Sequence, residues 1–330
     1  VRLILVAGTT RTAEIDGISA AGATRDLLLH TPSADAEILT YGRPVRAPVT
    51  PVSPSGCPTP AAVTRAVYEL LDFETLVVDG GLARPTAAPT VSVGAKPGRD
   101  IRDPDPVPTA PGAFAAAREL GRALPDDELV VGETVPGGTT TAMAVLRALG
   151  EEWPVSSSLP ENPIELKARV VREAFESSDV SPGRATHAPE LAVRFVGDPV
   201  LAVAAGLTAG ALESGTDVIL GGGTQMLAAA ALVRHAGVPG PLTLATTSYL
   251  RDDVPELADA ADAFDLDLVV SDPGFDAPDA GPLSAYAEGV AKEGAAMGGA
   301  LRLASRERVL ERVADATLDI LARLRSDDGP

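Results

Sequence analysis

Short runs of Val, Leu and Ile alternate along the chain with longer segments rich in Ala and Leu. The runs at 2–6, 75–79, 129–131, 193–196, 217–220, 242–246 and 267–271 predict strands. The segments at 60–71, 112–123, 139–149, 163–177, 199–213, 224–236, 284–302 and 306–325 predict helices. Strands separated by helical segments of 10–15 residues point to βαβ units and a parallel sheet. Several strands read as unbroken apolar runs, as expected where helices cover both faces. The fold class is therefore α/β. We expect a doubly wound, mainly parallel sheet with additional N- and C-terminal helices, residues 1–330 forming a single domain. The Pro- and Asp-rich stretches at 44–60 and 94–112 read as long loops within it. Loops of that length in a compact domain are more often functional than idle.

Composition narrows the partners. The chain has 330 residues, 45% hydrophobic but only 3% aromatic, so aliphatic side chains must build the core. Its 46 acidic and 27 basic residues leave a net charge of −19. That charge disfavours nucleic acid and anionic lipid as partners. Lysine occurs only at Lys96, Lys167 and Lys292. An acid-rich, lysine-poor surface fits a salt-adapted protein, in which salt screens the repulsion. One cysteine, Cys57 in SPSGCPTP, excludes an internal disulfide and reads as a loop thiol. His30, His187 and His235 lack metal-ligand spacing, so we expect no metal. VRLILVAGTT is too short an apolar run for a signal peptide, and 201–212 is too short for a membrane span. We expect a cytoplasmic protein without cofactor.

Three strand-to-helix junctions are rich in glycine and threonine: AGTTRT (7–12), GETVPGGTT (132–140) and ILGGGTQM (219–226). Small residues there let backbone N–H groups approach an anion at a helix start. Gly132–Thr139 has the spacing of a P-loop but places Gly138 where the lysine must stand, which disfavours triphosphate chemistry. The dinucleotide pattern fails at Met226, in place of its last glycine.

In ENPIELKARVVREAF (161–175), Asn162 fits an N-cap, Pro163 the first helical position and Glu165 a capping box. Lys167 then lies near the positive end of the helix dipole, with Pro163 and Val171 at i±4 and so no ion-pair partner on its own helix. A bound anion would offset that placement. In YAEGVAKEGAAMGGALRLA (286–304), Glu288, Lys292 and Glu293 stand among small residues. A carboxylate beside an apolar pocket has a raised pKa and can serve as a base.

These motifs, in this order, resemble the nicotinate mononucleotide–dimethylbenzimidazole phosphoribosyltransferases of cobalamin lower-ligand assembly, in a divergent archaeal branch. GETVPGGTTTA (132–142) is similar to their G-E-M-G-I-G-N-T-T-T-A, and KARVVREAF (167–175) to their lysine-bearing helix. LGGGTQM (220–226) is similar to a strand ending in S-G-G-M, AKEGAAMGGA (291–300) to R-L-G-E-G-T-G-A-A, and VVDGGL (77–82) to V-V-D-V-G-V. The likeness runs from about residue 60 to 305, leaving much of 1–59 without a counterpart.

The resemblance implies transfer of phosphoribose from nicotinate mononucleotide to a benzimidazole-type base, with an aromatic base as second substrate and a homodimer as the assembly. Carried over by motif, Glu133, Gly137, Gly138 and Thr139 would line the mononucleotide site. Lys167 and Ser271 would meet the phosphate, and Gly221, Gly222 and Gly223 would lie against ribose and phosphate. Glu293 would be the base, with Glu133 facing the sugar. Gly138 for Asn, and Ala295-Ala296 for Thr-Gly, depart from the pattern and leave the acceptor open. The reading from another class is a non-catalytic nucleotide-binding protein with the same pocket.

Overall fold

A computed structural model describes residues 1–20, 25–178 and 180–327. Seven strands form one sheet: β1 (Arg2–Ala7), β2 (Glu74–Asp79), β3 (Thr90–Ser92), β4 (Glu128–Thr134), β5 (Asp217–Gly221), β6 (Leu242–Thr247) and β7 (Asp267–Ser271). Their order is β3-β2-β1-β4-β5-β6-β7, and every pairing is parallel. The order reverses between β1 and β4, and a crevice opens at the carboxyl ends of strands at such a reversal.

The first helices are α1 (Arg25–Leu28), α2 (Thr31–Tyr41), α3 (Pro60–Leu71), α4 (Ala110–Ala123), α5 (Gly138–Leu149), α6 (Ile164–Ser178) and α7 (Pro189–Val196). They are followed by α8 (Pro199–Glu213), α9 (Thr224–His235), α10 (Ser248–Asp253), α11 (Leu257–Ala263), α12 (Ser284–Ala287), α13 (Met297–Arg306) and α14 (Val313–Asp327). Successive strand residues point to opposite faces. Ile4, Val6, Leu129, Val131, Leu220 and Leu244 pack with apolar residues of α4, α5, α7, α8 and α9. Leu3, Leu5, Val130, Ile219 and Ala245 pack with those of α3, α13 and α14. Both faces are thus covered, as the unbroken apolar strands require.

Five departures from the expected elements have physical causes. The run at 193–196 is not a strand but the last turn of α7: Pro189 starts the helix, and buried Ala192, Val193 and Val196 follow helical spacing. Strand β3 has only three residues, on the sheet edge against β2. Helix α2 gives no amphipathic signal because every residue from Thr31 to Leu39 is buried, including Ser33, Asp35 and Glu37. The expected helix at 284–302 is broken between α12 and α13, where Ala291, Lys292, Ala295 and Ala296 all take positive φ. The final helix starts at Val313, later than expected, since α13 runs on to Arg306.

Candidate functional site

A cleft opens beside the carboxyl ends of β1 and β4, where the strand order reverses. Its wall comes from residues 18–20 after β1, from α2, from the loop 51–60, from 133–139, from 156–158, from 223–225 and from 290–295. With its solvent-filled mouth included, the cleft takes in about 940 Å³. Glu133, Gly137, Gly138, Thr139, Gly223 and Glu293 all lie on that wall.

The turn after β4 positions four of these. Gly137 caps α5 with φ 80°, a left-handed conformation that any side chain with a Cβ would strain. The chain therefore turns sharply enough to bring Glu133 and the first turn of α5 to the same cleft.

Glu293 is presented by a loop held in a conformation that non-glycine residues avoid. Ala291, Lys292, Ala295 and Ala296 have φ between 48° and 64°. Such residues cost roughly 1–3 kcal/mol each and persist where their surroundings over-determine them. The surroundings do so here. Ala291 N–H donates to Ser158 O at 3.0 Å, and Ala295 N–H to Glu133 O at 2.7 Å. Thr64 Oγ1 donates to Ala295 O and Thr247 Oγ1 to Lys292 O, each at 2.7 Å. Contacts from α3, β4, β6 and the 156–158 segment thus fix the loop. Glu293 Oε2 accepts from Gly294 N–H at 2.9 Å. Its Oε1 faces the Gly298 amide outside hydrogen-bonding geometry and has no partner among the described residues.

Both glutamates are pushed up to about 8. Burial is the first cause for each. Glu133 is raised further by the charges of Asp198 and Asp35, against one favourable contact with the Val135 amide. Glu293 feels Glu133 as a like charge, while the Gly294 and Gly298 amides favour its ionised form. The surroundings differ in kind: two backbone amides support the charge of Glu293, while Asp198 and Asp35 oppose that of Glu133.

A third carboxyl on the wall, Asp35 of α2, lies in the part of the sequence where no motif stood. It accepts from Thr59 Oγ1 and from Thr134 Oγ1, both at 2.6 Å, and burial raises it to about 6 despite them. Asp198 sits behind the wall as the N-cap of α8, accepting from Val200 and Leu201 amides, from Gln225 Nε2 and from Thr141 Oγ1. Sequence reasoning missed both. A buried helix has no polar face to mark Asp35. Asp198 before Pro199, a capping signature, was there to be read.

Lys167, Gly221, Gly222 and Ser271 are not on the cleft wall. Lys167 is fully buried behind the 156–158 segment, its Nζ donating to Ser156 O at 2.6 Å. Burial lowers its pKa to about 7, and the nearby Lys292 ammonium lowers it further, while Asp253 opposes them. Lys292 donates to Leu159 O and Gly289 O, with Asp253 Oδ1 at 3.4 Å. The helix carrying Lys167 begins at Ile164, and Asn162 Nδ2 donates to Val155 O, so Asn162 ties down the preceding loop rather than serving as a side-chain cap. A Cβ on Gly221 would stand 2.7 Å from Gly299 N, and one on Gly222 2.5 Å from the Met226 side chain, so both serve packing. Ser271 is buried at the end of β7, in register with Thr247. The Cys57 thiol, pushed up to about 12 by burial and by Glu288, is held off nucleophilic chemistry.

Among the described residues, no cluster of His, Cys, Asp and Glu could hold a metal ion, and no helix is long and apolar enough to cross a membrane.

No family model matches the chain. It is 58% identical over 323 residues to a UPF0284 protein of Halobacterium salinarum, covering 97% of each. It is 40% identical over 307 residues to a UPF0284 protein of Methanosarcina mazei, covering 91% of this chain and 88% of that one. The chain belongs to this archaeal UPF0284 family. Among solved structures it is similar to the nicotinate-nucleotide–dimethylbenzimidazole phosphoribosyltransferase of Thermus thermophilus, at a TM-score of 0.60 and 19% identity, over 96% of this chain and 82% of that one. A second Thermus thermophilus structure, of CobT, matches at a TM-score of 0.58 and 19% identity, over 96% and 83%. The fold is that of these enzymes, as the order of motifs led us to expect.

Proposed function

We propose that the chain is a phosphoribosyltransferase. It would move phosphoribose from nicotinate mononucleotide to a benzimidazole-type base, releasing nicotinate, in assembly of the cobalamin nucleotide loop. The observation that carries this reading is the pair of carboxyls, Glu133 and Glu293, raised by burial and facing one cleft at the strand-order reversal. Two acidic groups with different surroundings suit a reaction that needs one proton removed and a sugar oriented.

In this reading, one ring nitrogen of the acceptor attacks the anomeric carbon. The bond from that carbon to the nicotinate nitrogen breaks, and its electron pair stays with nicotinate. The acceptor's other nitrogen loses its proton to Glu293, whose charge the Gly294 and Gly298 amides support. Glu133 keeps its proton at neutral pH and donates a hydrogen bond to the sugar. The phosphate would sit toward Gly137, Gly138 and Thr139 at the start of α5, where amide dipoles favour an anion. Lys167 would reach it once its bond to Ser156 O is exchanged for the phosphate.

The test is nicotinate release from nicotinate mononucleotide, measured with dimethylbenzimidazole and then with a panel of imidazole-containing bases. Release that depends on the base supports the transferase. A mononucleotide that binds but yields no nicotinate with any base leaves the non-catalytic nucleotide-binding protein as the reading.

A further inference from the structure

The N-terminal wall of the cleft, which carries none of the recognised motifs, contributes a carboxylate of its own. Asp35 projects from α2, a helix buried along nearly its whole length. Its two oxygens take the hydroxyl protons of Thr59, the N-cap of α3, and of Thr134, the residue after Glu133 on β4. Two hydroxyl donors favour its charged form, but burial outweighs them and holds the carboxyl up at about 6, so its charge is present above that pH. Among the described residues, no hydroxyl donates to Glu133, whose one favourable contact is the Val135 amide. The ionisable groups facing Glu133 are Asp35 from α2, Asp198 from the start of α8 and Glu293 from the loop before α13. Tyr286 of α12 and Cys57 lie further round the same side, and burial raises both.

We propose that Asp35 is a positioning residue of this site: a negative charge on the cleft wall that, together with Asp198, favours the hydrogen-bond-donating form of Glu133 and so leaves Glu293 as the base. The bland alternative is a knot that only joins α2, α3 and β4. A knot needs the two hydroxyl bonds but not the charge. The proposed role needs the charge, since it acts on Glu133 through space. It deepens the transferase reading and rests on it for the meaning of the two glutamates, but the titration of Glu133 does not depend on turnover.

The experiment is therefore done first on ligand-free protein. Glutamate carboxyls labelled with carbon-13 are titrated by NMR between pH 5 and 9, and Glu133 is assigned by the signal lost in Glu133→Gln. In Asp35→Asn the midpoint of Glu133 is expected to fall by at least half a pH unit. Thr134→Val is the second variant, should Asp35→Asn not fold. It removes one donor from Asp35, makes that carboxyl harder to ionise, and should lower the Glu133 midpoint by less. An unmoved midpoint in whichever variant folds overturns the proposal and returns Asp35 to the knot. Kinetics then test the consequence. With Glu293 ionised and Glu133 protonated in the active form, the rate follows a bell against pH. Asp35→Asn should draw the alkaline limb to lower pH, leave the acid limb in place and change mononucleotide affinity less than threefold. An alkaline limb that stays put overturns the proposed role even where the wild-type enzyme turns over. A wild-type protein without turnover sinks the transferase reading and leaves the Asp35–Glu133 coupling to stand or fall on the titration.

Discussion

The turn after β4 and the turn after β5 share nearly the same small residues, yet they face different neighbours. After β4, Gly137 and Gly138 bend the chain so that Glu133 and the first turn of α5 meet an open cleft. After β5, Gly221 and Gly222 meet protein: Gly221 lets the backbone of Gly299 approach, and Gly222 makes room for Met226. Only Gly223 reaches the cleft. A glycine-rich junction therefore signals a close approach without saying what approaches. At one junction it is space for a ligand, and at the other it is helix α13, which in turn anchors the Glu293 loop. In the proposed reaction the first turn would act on the chemistry directly and the second through the packing that holds Glu293 in place.

The largest effect should come from the chemical side. Glu293→Gln preserves shape but cannot take the proton, and the rate should fall by about 10²–10⁴-fold with mononucleotide affinity nearly unchanged. Glu133→Gln, which can still donate a hydrogen bond, should lose much less. The two are measured side by side with one acceptor. If Glu293→Gln retains the wild-type rate while Glu133→Gln is inactive, the roles are reversed. If both are fully active, neither turn holds the site.

On the packing side, Gly221→Ala places a Cβ 2.7 Å from Gly299 N. Overpacking of this kind costs about 1–3 kcal/mol, and a denaturant midpoint lowered without a change in slope would read it. Its rate should fall only as far as the Glu293 loop shifts. A variant as stable as wild type but inactive would mean that Gly221 touches ligand after all, and would erase the contrast between the turns.

A weaker link joins the second turn to the ligand. Ser156 N–H donates to Thr224 Oγ1 at 3.1 Å, just after the Gly221–Gly223 run, and Ser156 O holds Lys167. If that ammonium swings to the phosphate, Lys167→Met should weaken mononucleotide binding by roughly 10–100-fold, the worth of one charge-assisted hydrogen bond. Unchanged affinity by calorimetry would leave Lys167 a buried tie behind the cleft.

What could be read from the sequence follows the same division. Strands buried on both faces announce themselves as apolar runs, so six of the seven stood out, and β3 escaped because an edge strand of three residues carries no pattern. Val193–Val196 misled because β-branched residues at the end of a short helix look like a strand until Pro189 is weighed as its start. Glu133, Gly137, Gly138 and Glu293 were legible because their neighbours are unusual: glycine, threonine and alanine where bulk is expected. Asp35 was not, since nothing in SADAEIL distinguishes a carboxylate folded into the interior from one on a solvated face. Lys167 was singled out for its place near the positive end of its helix without a partner there; the structure buries it behind the cleft, its Nζ on Ser156 O.

The smallest effect separates the turns most cleanly, because it uses pH as the variable. A carboxyl raised in the folded state binds a proton that the unfolded chain has already released. For Glu133 the window runs from the ordinary glutamate value of about 4.3 up to the folded value of about 8. Across that window the folded state holds the extra proton, so stability falls as pH rises, and the loss levels off above about 8. Glu133→Gln removes this loss. Its melting temperature should therefore match wild type most closely near pH 5 and exceed it by a few degrees at pH 8.5, part of the gain coming from Glu293, which no longer faces a like charge. Gly221→Ala removes no titrating group, so its deficit should be the same at both pH values. A Glu133→Gln difference that stays flat from pH 5 to 8.5 would mean that Glu133 titrates as an ordinary glutamate. The turn after β4 would then have lost the physical feature that sets it apart from the turn after β5.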